Sequence, residues 1–396
     1  MNHSSPLGAA TTLAELAEDP HPRLALLRAA EPVSWVTELG GWLVTRRDLA
    51  VEVMRDAAAF TVDDPRFSTA RVVGPSMLSL DGERHARHRE PFVAAFRPRE
   101  VRQGFEGFVE AETARLIGRF ADAGEAELRR DFAGPLAVAV MREALGLRGT
   151  TTDTVLAWYD AIVRAVAELT AGQVAGAAAG EAAYARLRAA VEETVTDRDA
   201  TSLLVAAAGK LSVPEVASNA AVLMFGGIET TEAMITNALL HLLDHPDQLA
   251  LVRAEPALLD GAVEESLRLE PGAAVVDRYA TRDIVLGAAR IRRGDLVSVS
   301  LTGANRDPAV FPDPDRFDVR RDNTRLQLAF AHGPHYCIGA HLARLETRVA
   351  LRRLLERLPG LRLDPRRPAA PYGLVFRKPP ELYVRWDVSS AGAVVS

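Results

Sequence analysis

Among 396 residues there is one cysteine, Cys337. A single thiol excludes an internal disulfide. It also excludes an iron–sulfur cluster or a cysteine-rich zinc site, each of which takes several thiolates. A cationic surplus is missing too: 47 Lys and Arg face 53 Asp and Glu, a net charge of −6. No broad basic surface for nucleic acid follows from that balance. The N-terminal "MNHSSPLGAATTLAELAEDP" has no basic start and no apolar core, so it does not read as a secretory signal. No long hydrophobic run is free of polar residues. The most apolar one, Ala217 to Leu243, carries Asn219, Glu229, Glu232 and Asn237, and reads as buried helix rather than a membrane span. Repeats, a clear linker and a dinucleotide- or flavin-binding glycine motif are absent as well. These absences fit a cytoplasmic globular protein.

What is present is a large core and much helix. Hydrophobic residues make up 48% and charged residues 25%, and Arg and Ala favour helix through most of the chain. The first 21 residues read as a loose segment, residues 22–388 as a single mainly helical domain with minor β sheet, and 389–396 as a tail. Short β-type runs occur at Val33–Thr37, Trp42–Thr45, Val275–Ala280, Ile284–Leu286 and Leu296–Leu301. Thr61–Leu80 lacks periodicity and reads as a loop. The Ala/Gly-rich 171–187 reads as a weakly packed helix and a plausible lid. "LSVPE" opens a helix of some 30 residues, with Ser212 as cap, Glu215 completing a capping box and Pro214 in the first turn. "NRDPAVFPDPDRFDVRRDN" reads as an irregular meander.

The cysteine lies in "FAHGPHYCIGAHLARLE", just ahead of an apolar helix stripe of Leu342, Leu345 and Val349. Helix N–H groups and the macrodipole stabilise a thiolate there. Gly333 and Gly339 leave room for a flat group beside the backbone. On its own the loop also suits a buried structural cysteine, or a nucleophile paired with His335. Three other patterns stand upstream. "FGGIETT" places two glycines, an acid and an alcohol, Glu229 and Thr230, inside an apolar helix where a carboxylate is costly. "EESLR" puts Glu265 and Arg268 on one helical face. "DGERHARHRE" holds His85 and Arg89, also on one face, and "VVDRYA" holds Arg278.

Taken together and in order, these patterns resemble the cytochrome P-450 family, the haem-thiolate monooxygenases, of soluble bacterial type. Phe330, Gly333, Cys337 and Gly339 match its cysteine loop. Ala331 departs from the small polar residue or glycine usual after the Phe. The resemblance runs from about Pro22 to Trp386. It implies haem b as cofactor, with Cys337 the iron ligand. His85, Arg89, Arg278 and His335 would bind the haem carboxylates. Thr230 and Glu229 would be catalytic, handling dioxygen and its protons. Glu265, Arg268 and Arg316 would form a structural network. A substrate pocket would include Phe225, Gly226, Val275, Val276 and Leu374, positions whose small or apolar side chains suit a mainly apolar organic molecule. The implied reaction is hydroxylation or epoxidation, with coupling, desaturation and decarboxylation as alternatives. A non-catalytic haem-thiolate sensor or electron carrier would need the loop without Glu229 and Thr230. Electrons would come from a separate ferredoxin and reductase, docked near Arg344 and Arg97–Arg102. The expected protein is monomeric, with no membrane and no nucleic acid among its partners.

Overall fold

The computed structural model describes residues 6–170, 177–197 and 202–388. Its axis is one unbroken helix of 32 residues, Val213–Asp244, called here the central helix. The local signals for its start act as read: the Glu215 carboxylate accepts the Ser212 N–H at 2.9 Å, and Pro214 occupies the first turn. At 1.5 Å per residue it is about 48 Å long. Helices Gly134–Leu145, Ala177–Thr196, Leu258–Leu269 and Ala340–Arg357 pack along it. Most of its residues are buried around the full circumference, as expected for a helix that is apolar on all sides. Helices and the cysteine-loop segment share one continuous core.

The sheet is the minor partner. Five strands lie in the order Val33–Val36, Gly41–Val44, Leu296–Ser300, Val275–Ala280 and Phe60–Thr61. The Gly41–Val44 and Leu296–Ser300 strands run parallel, and the other pairs antiparallel. A smaller sheet joins Glu125–Glu127, Tyr383–Arg385 and Arg362–Leu363. The fold is therefore mainly α with minor β. Among the described residues no helix is long and apolar enough to cross a membrane.

Two sequence readings are corrected. The segment read as loose before residue 22 forms helices at Pro6–Ala9 and Leu13–Glu18, and a third starts at Pro20. Leu16 there joins Leu24, Leu27, Val36 and Leu43 in a small core. Arg377 donates to the Ala17 carbonyl at 2.7 Å, which ties the segment to the C-terminal part of the chain. Prolines and short length hid this, because the holding contacts are not local. Second, Thr61–Leu80 contains a helix, Ser68–Val73, ended by Gly74 at φ +81°. The Val73 carbonyl accepts Ser218 Oγ of the central helix at 2.6 Å. The start of the proposed lid, 171–176, and the tail 389–396 lie outside the described residues.

Candidate functional site

The cysteine loop is built by backbone geometry. Cys337 follows a single 3-10 turn, Gly333–His335, and precedes the helix Ala340–Arg357. Its N–H donates to the Phe330 carbonyl at 2.9 Å, closing the loop. Gly333 has φ +75°, and a Cβ there would collide with the Met54 carbonyl. That glycine makes room for the Arg47–Arg55 helix rather than for a flat ligand, which corrects one reason given from sequence. A Cβ at Gly339 would lie 4.0 Å from Cys337 Sγ, an ordinary contact. Ala331, the irregular position of the motif, takes φ +59°. It adopts the left-handed conformation that a glycine would take without steric cost.

Cys337 is deep among protein atoms yet remains accessible to solvent. Burial pushes its thiol up from the usual range. The Gly339 N–H and the charges of Arg89 and Arg344 act the other way. Arg344 is held by Glu264 at 2.5 and 3.0 Å and lies over the Phe330 ring, 4.3 Å from its centroid.

The four basic residues gather around this loop. His85 and His335 rings are 4.3 Å apart. Arg89 donates to the Tyr336 carbonyl at 2.6 Å. His335 Nε2 is 2.8 Å from Asp81 Oδ1, and Asp81 also accepts Thr61 Oγ1 and the Val62 N–H. Burial raises the Asp81 carboxyl, but these three bonds outweigh it and hold it at about 2. Arg278 is buried and donates only to a carbonyl, that of Asp277, at 2.8 Å. Among the described residues no carboxylate lies within ion-pair distance of its guanidinium. His85 is buried with Nε2 unpartnered, and burial lowers its imidazole to about 4. Buried cations without anionic partners are costly.

On the central helix, Gly226 is exposed although Leu223 and Met224 are buried and Phe225 half-buried, and a Cβ there would meet nothing within 4 Å. The helix opens onto free space at that point. Gly227 instead faces Met141, whose sulfur a Cβ would strike. Thr230 Oγ1 donates to the Gly226 carbonyl one turn back. Both oxygens of Glu229 are engaged, Oε2 by Tyr159 OH and Oε1 by Lys378 Nζ at 2.6 Å. Lys378 also reaches Glu232 Oε2 at 2.5 Å. Burial raises the Glu232 carboxyl, opposed by Lys378 and Arg129, and raises the Tyr159 phenol strongly.

The structural network differs from the sequence reading in one member. Arg268 grips Glu265 at 2.7 and 2.8 Å, with both side chains fully buried. The third residue is Arg321, whose Nε lies 2.9 and 3.1 Å from the two Glu265 oxygens. Arg316 offers Arg268 only its carbonyl, at 3.1 Å, while its own side chain is mostly exposed. Ahead of both arginines the meander turns at Asp313, which takes φ +45° and whose carbonyl accepts the Arg316 N–H at 3.1 Å. Spacing in an irregular segment does not tell which arginine faces inward.

Of the pocket residues, Val275 and Val276 are half-buried in their strand. Phe225 meets Phe376 edge-on at 5.3 Å. Leu374 is a correction: it packs on the N-terminal core around Leu16. Its neighbour Phe376, which sequence reasoning missed, is the residue against the central helix. Asp81, Tyr159, Lys378 and Arg321 were missed as well. Asp81 alone had a local signal, at the head of the motif with His85 and Arg89. Among the described residues no group of acids, histidines and cysteine forms a site for a bare metal ion. The donor set suits instead a group that brings its own metal ligands and two carboxylates. An accessible thiol, the unpaired Arg278 and the orphan His85 Nε2 all fit haem.

The family profile described as Cytochrome P450 matches residues 181–365. The cytochrome P450 monooxygenase PikC of Streptomyces venezuelae is 37% identical, over 88% of this chain and 86% of its own. The mycinamicin IV hydroxylase/epoxidase of Micromonospora griseorubida is 36% identical, over 92% and 95%. Among solved structures, P450BioI in complex with an acyl carrier protein ligated to hexadec-9Z-enoic acid superposes with a TM-score of 0.85. It is 29% identical, with 94% of this chain and 100% of that one covered.

Proposed function

The chain belongs to the cytochrome P450 family, and from that premise we propose that Cys337, Thr230 and Glu229 make it a haem-thiolate monooxygenase for a small, mainly apolar organic molecule of specialised metabolism. When bound, haem b supplies the oxidising chemistry: with two electrons and two protons, one atom of dioxygen enters the substrate and the other leaves as water. The residues of the chain do the rest. Cys337 would ligate the iron, whose charge favours the thiolate against the effect of burial. His85, Arg89, Arg278 and His335 receive the two haem carboxylates by charge-assisted hydrogen bonds. Thr230 presents a hydroxyl at the open face of the central helix, and Glu229 carries protons toward it. Gly226, Val275, Val276 and Phe225 with Phe376 border the substrate.

The observation that carries this reading is the buried Arg278 guanidinium, with no carboxylate at ion-pair distance among the described residues, and the unpartnered His85 Nε2, set beside an accessible sulfur. Electrons come from a ferredoxin with its reductase. A surface depression lined by Arg102, His341, Arg344 and Arg348 is the proposed docking place, although Glu264 already occupies Arg344. The test is optical. The purified, reduced protein with carbon monoxide is expected to show the red-shifted Soret band of thiolate ligation, and Cys337→His to lose it. A wild-type protein that takes up haem without that band would overturn the assignment.

A further inference from the structure

A group of partly buried titratable side chains surrounds Glu229. Lys378 Nζ sits between Glu229 Oε1 at 2.6 Å and Glu232 Oε2 at 2.5 Å. The Arg129 Nε is 2.8 Å from Glu232 Oε1, a charge contact without hydrogen-bonding alignment. Arg129 is partly exposed and donates to the Pro380 carbonyl at 2.9 Å, so the row reaches the surface. From the Thr152–Thr170 helix come Tyr159, bonded to Glu229, and Asp160, whose carboxyl burial raises. Among the described residues Lys378 is the one cation at ion-pair distance from Glu229, whereas Glu232 one turn on has Arg129 as well, and Asp160 has the charge of Arg164 beside it. Lys378 arrives from the C-terminal segment, two residues beyond Phe376, and is itself buried.

We propose that Lys378 is a positioning residue for the oxidation: it holds the Glu229 carboxylate charged and directed toward the row Glu232–Arg129, which joins that carboxylate to solvent. This rests on the reading of Glu229 as a proton carrier. Removing the ammonium leaves two partly buried carboxylates one helical turn apart, and like charges so placed favour taking up a proton. Tyr159 cannot replace Lys378, because its phenol donates one hydrogen bond and brings no positive charge.

The experiment is infrared difference spectroscopy of the haem-loaded protein over a pH titration, read at the protonated-carboxyl absorbance. Wild type, Lys378→Met, Lys378→Arg and Glu229→Gln are compared, with Glu229→Gln identifying the band. In Lys378→Met the band is expected to persist about one pH unit or more above its wild-type range, and Lys378→Arg to return it. An unchanged titration in Lys378→Met, with thermal stability retained, overturns the proposal. The underlying reading fails differently: Glu229→Gln then leaves dioxygen-driven turnover undiminished, whatever the band does in Lys378→Met.

Discussion

At Glu265 one carboxylate meets two guanidinium groups; at Glu229 and Glu232 two carboxylates share the Lys378 ammonium, with Arg129 beside Glu232 alone. The first cluster is closed. Arg268 and Glu265 have no exposed surface, and the remaining Arg268 donors reach the carbonyls of Pro314 and Asn305. The second cluster has one cation per carboxylate rather than two, and it is partly open. The same functional groups thus serve two ends. Full pairing in a dry site fixes the geometry of the meander against the Leu258–Leu269 helix. Partly exposed pairing beside the open face of the central helix suits the proton carriage proposed for Glu229. Desolvation supplies the reason: a buried carboxylate is tolerable only when its partners fill its lone pairs.

The comparison breaks most sharply at Glu265. Glu265→Ala leaves Arg268 buried and uncompensated, with an expected loss of about 3–5 kcal/mol in chemical unfolding. Glu229→Gln is expected to cost less than about 1 kcal/mol in the same assay. If the two variants lose equal stability, the distinction between a closed and an open cluster is wrong.

A third cluster sharpens the point. Glu270 is buried against His21 at 3.0 Å and Arg377 at 2.7 Å. Burial raises its carboxyl, but the His21 bond and the Arg377 charge prevail and hold it at about 2. Its folded value lies below its unfolded one, so its stabilisation is complete above about pH 4.5 and is lost as pH falls through about 2. A loss of about 3 kcal/mol across that window is expected in acid titrations followed by circular dichroism, as an upper bound. Glu270→Gln should flatten that part of the curve.

The open cluster answers in rate. With a substrate found by spectral-shift screening, Glu229→Gln and Thr230→Ala are each expected to slow dioxygen-driven turnover about 100-fold. Peroxide-driven turnover should survive, since it needs no proton delivery to dioxygen. A sensor or electron carrier would show no such split. Within the closed cluster, Arg321→Ala is expected to cost about 2 kcal/mol or more, and Arg316→Ala less than about 0.5 kcal/mol. The reverse order would restore the sequence reading. A small effect of opposite sign is expected at the loop: Ala331→Gly should stabilise by about 1 kcal/mol, because glycine takes the left-handed conformation without steric cost. A neutral or negative result there would show that alanine's narrower unfolded ensemble offsets the strain.

Much of this molecule is legible in its amino-acid order. The cysteine loop, the Glu265–Arg268 spacing, the acid–alcohol pair and the cap at Ser212 are patterns of a few adjacent residues, and local backbone rules govern them. The mainly helical fold follows from propensity and periodicity for the same reason. Other features have no local trace. Tertiary structure chose Arg321 over Arg316, because an irregular meander has no period from which to read an inward face. It placed Leu374 in the N-terminal core and Phe376 on the central helix, a division among near neighbours that packing decides. Lys378 is the extreme case: it lies 146 residues from Glu232 in sequence yet 2.5 Å away in space. The sequence by itself determined which groups the molecule owns and the order in which the chain presents them. The burial of charge decided their partners, because an ionised group taken out of water must find its counter-ion wherever the packed chain has put one.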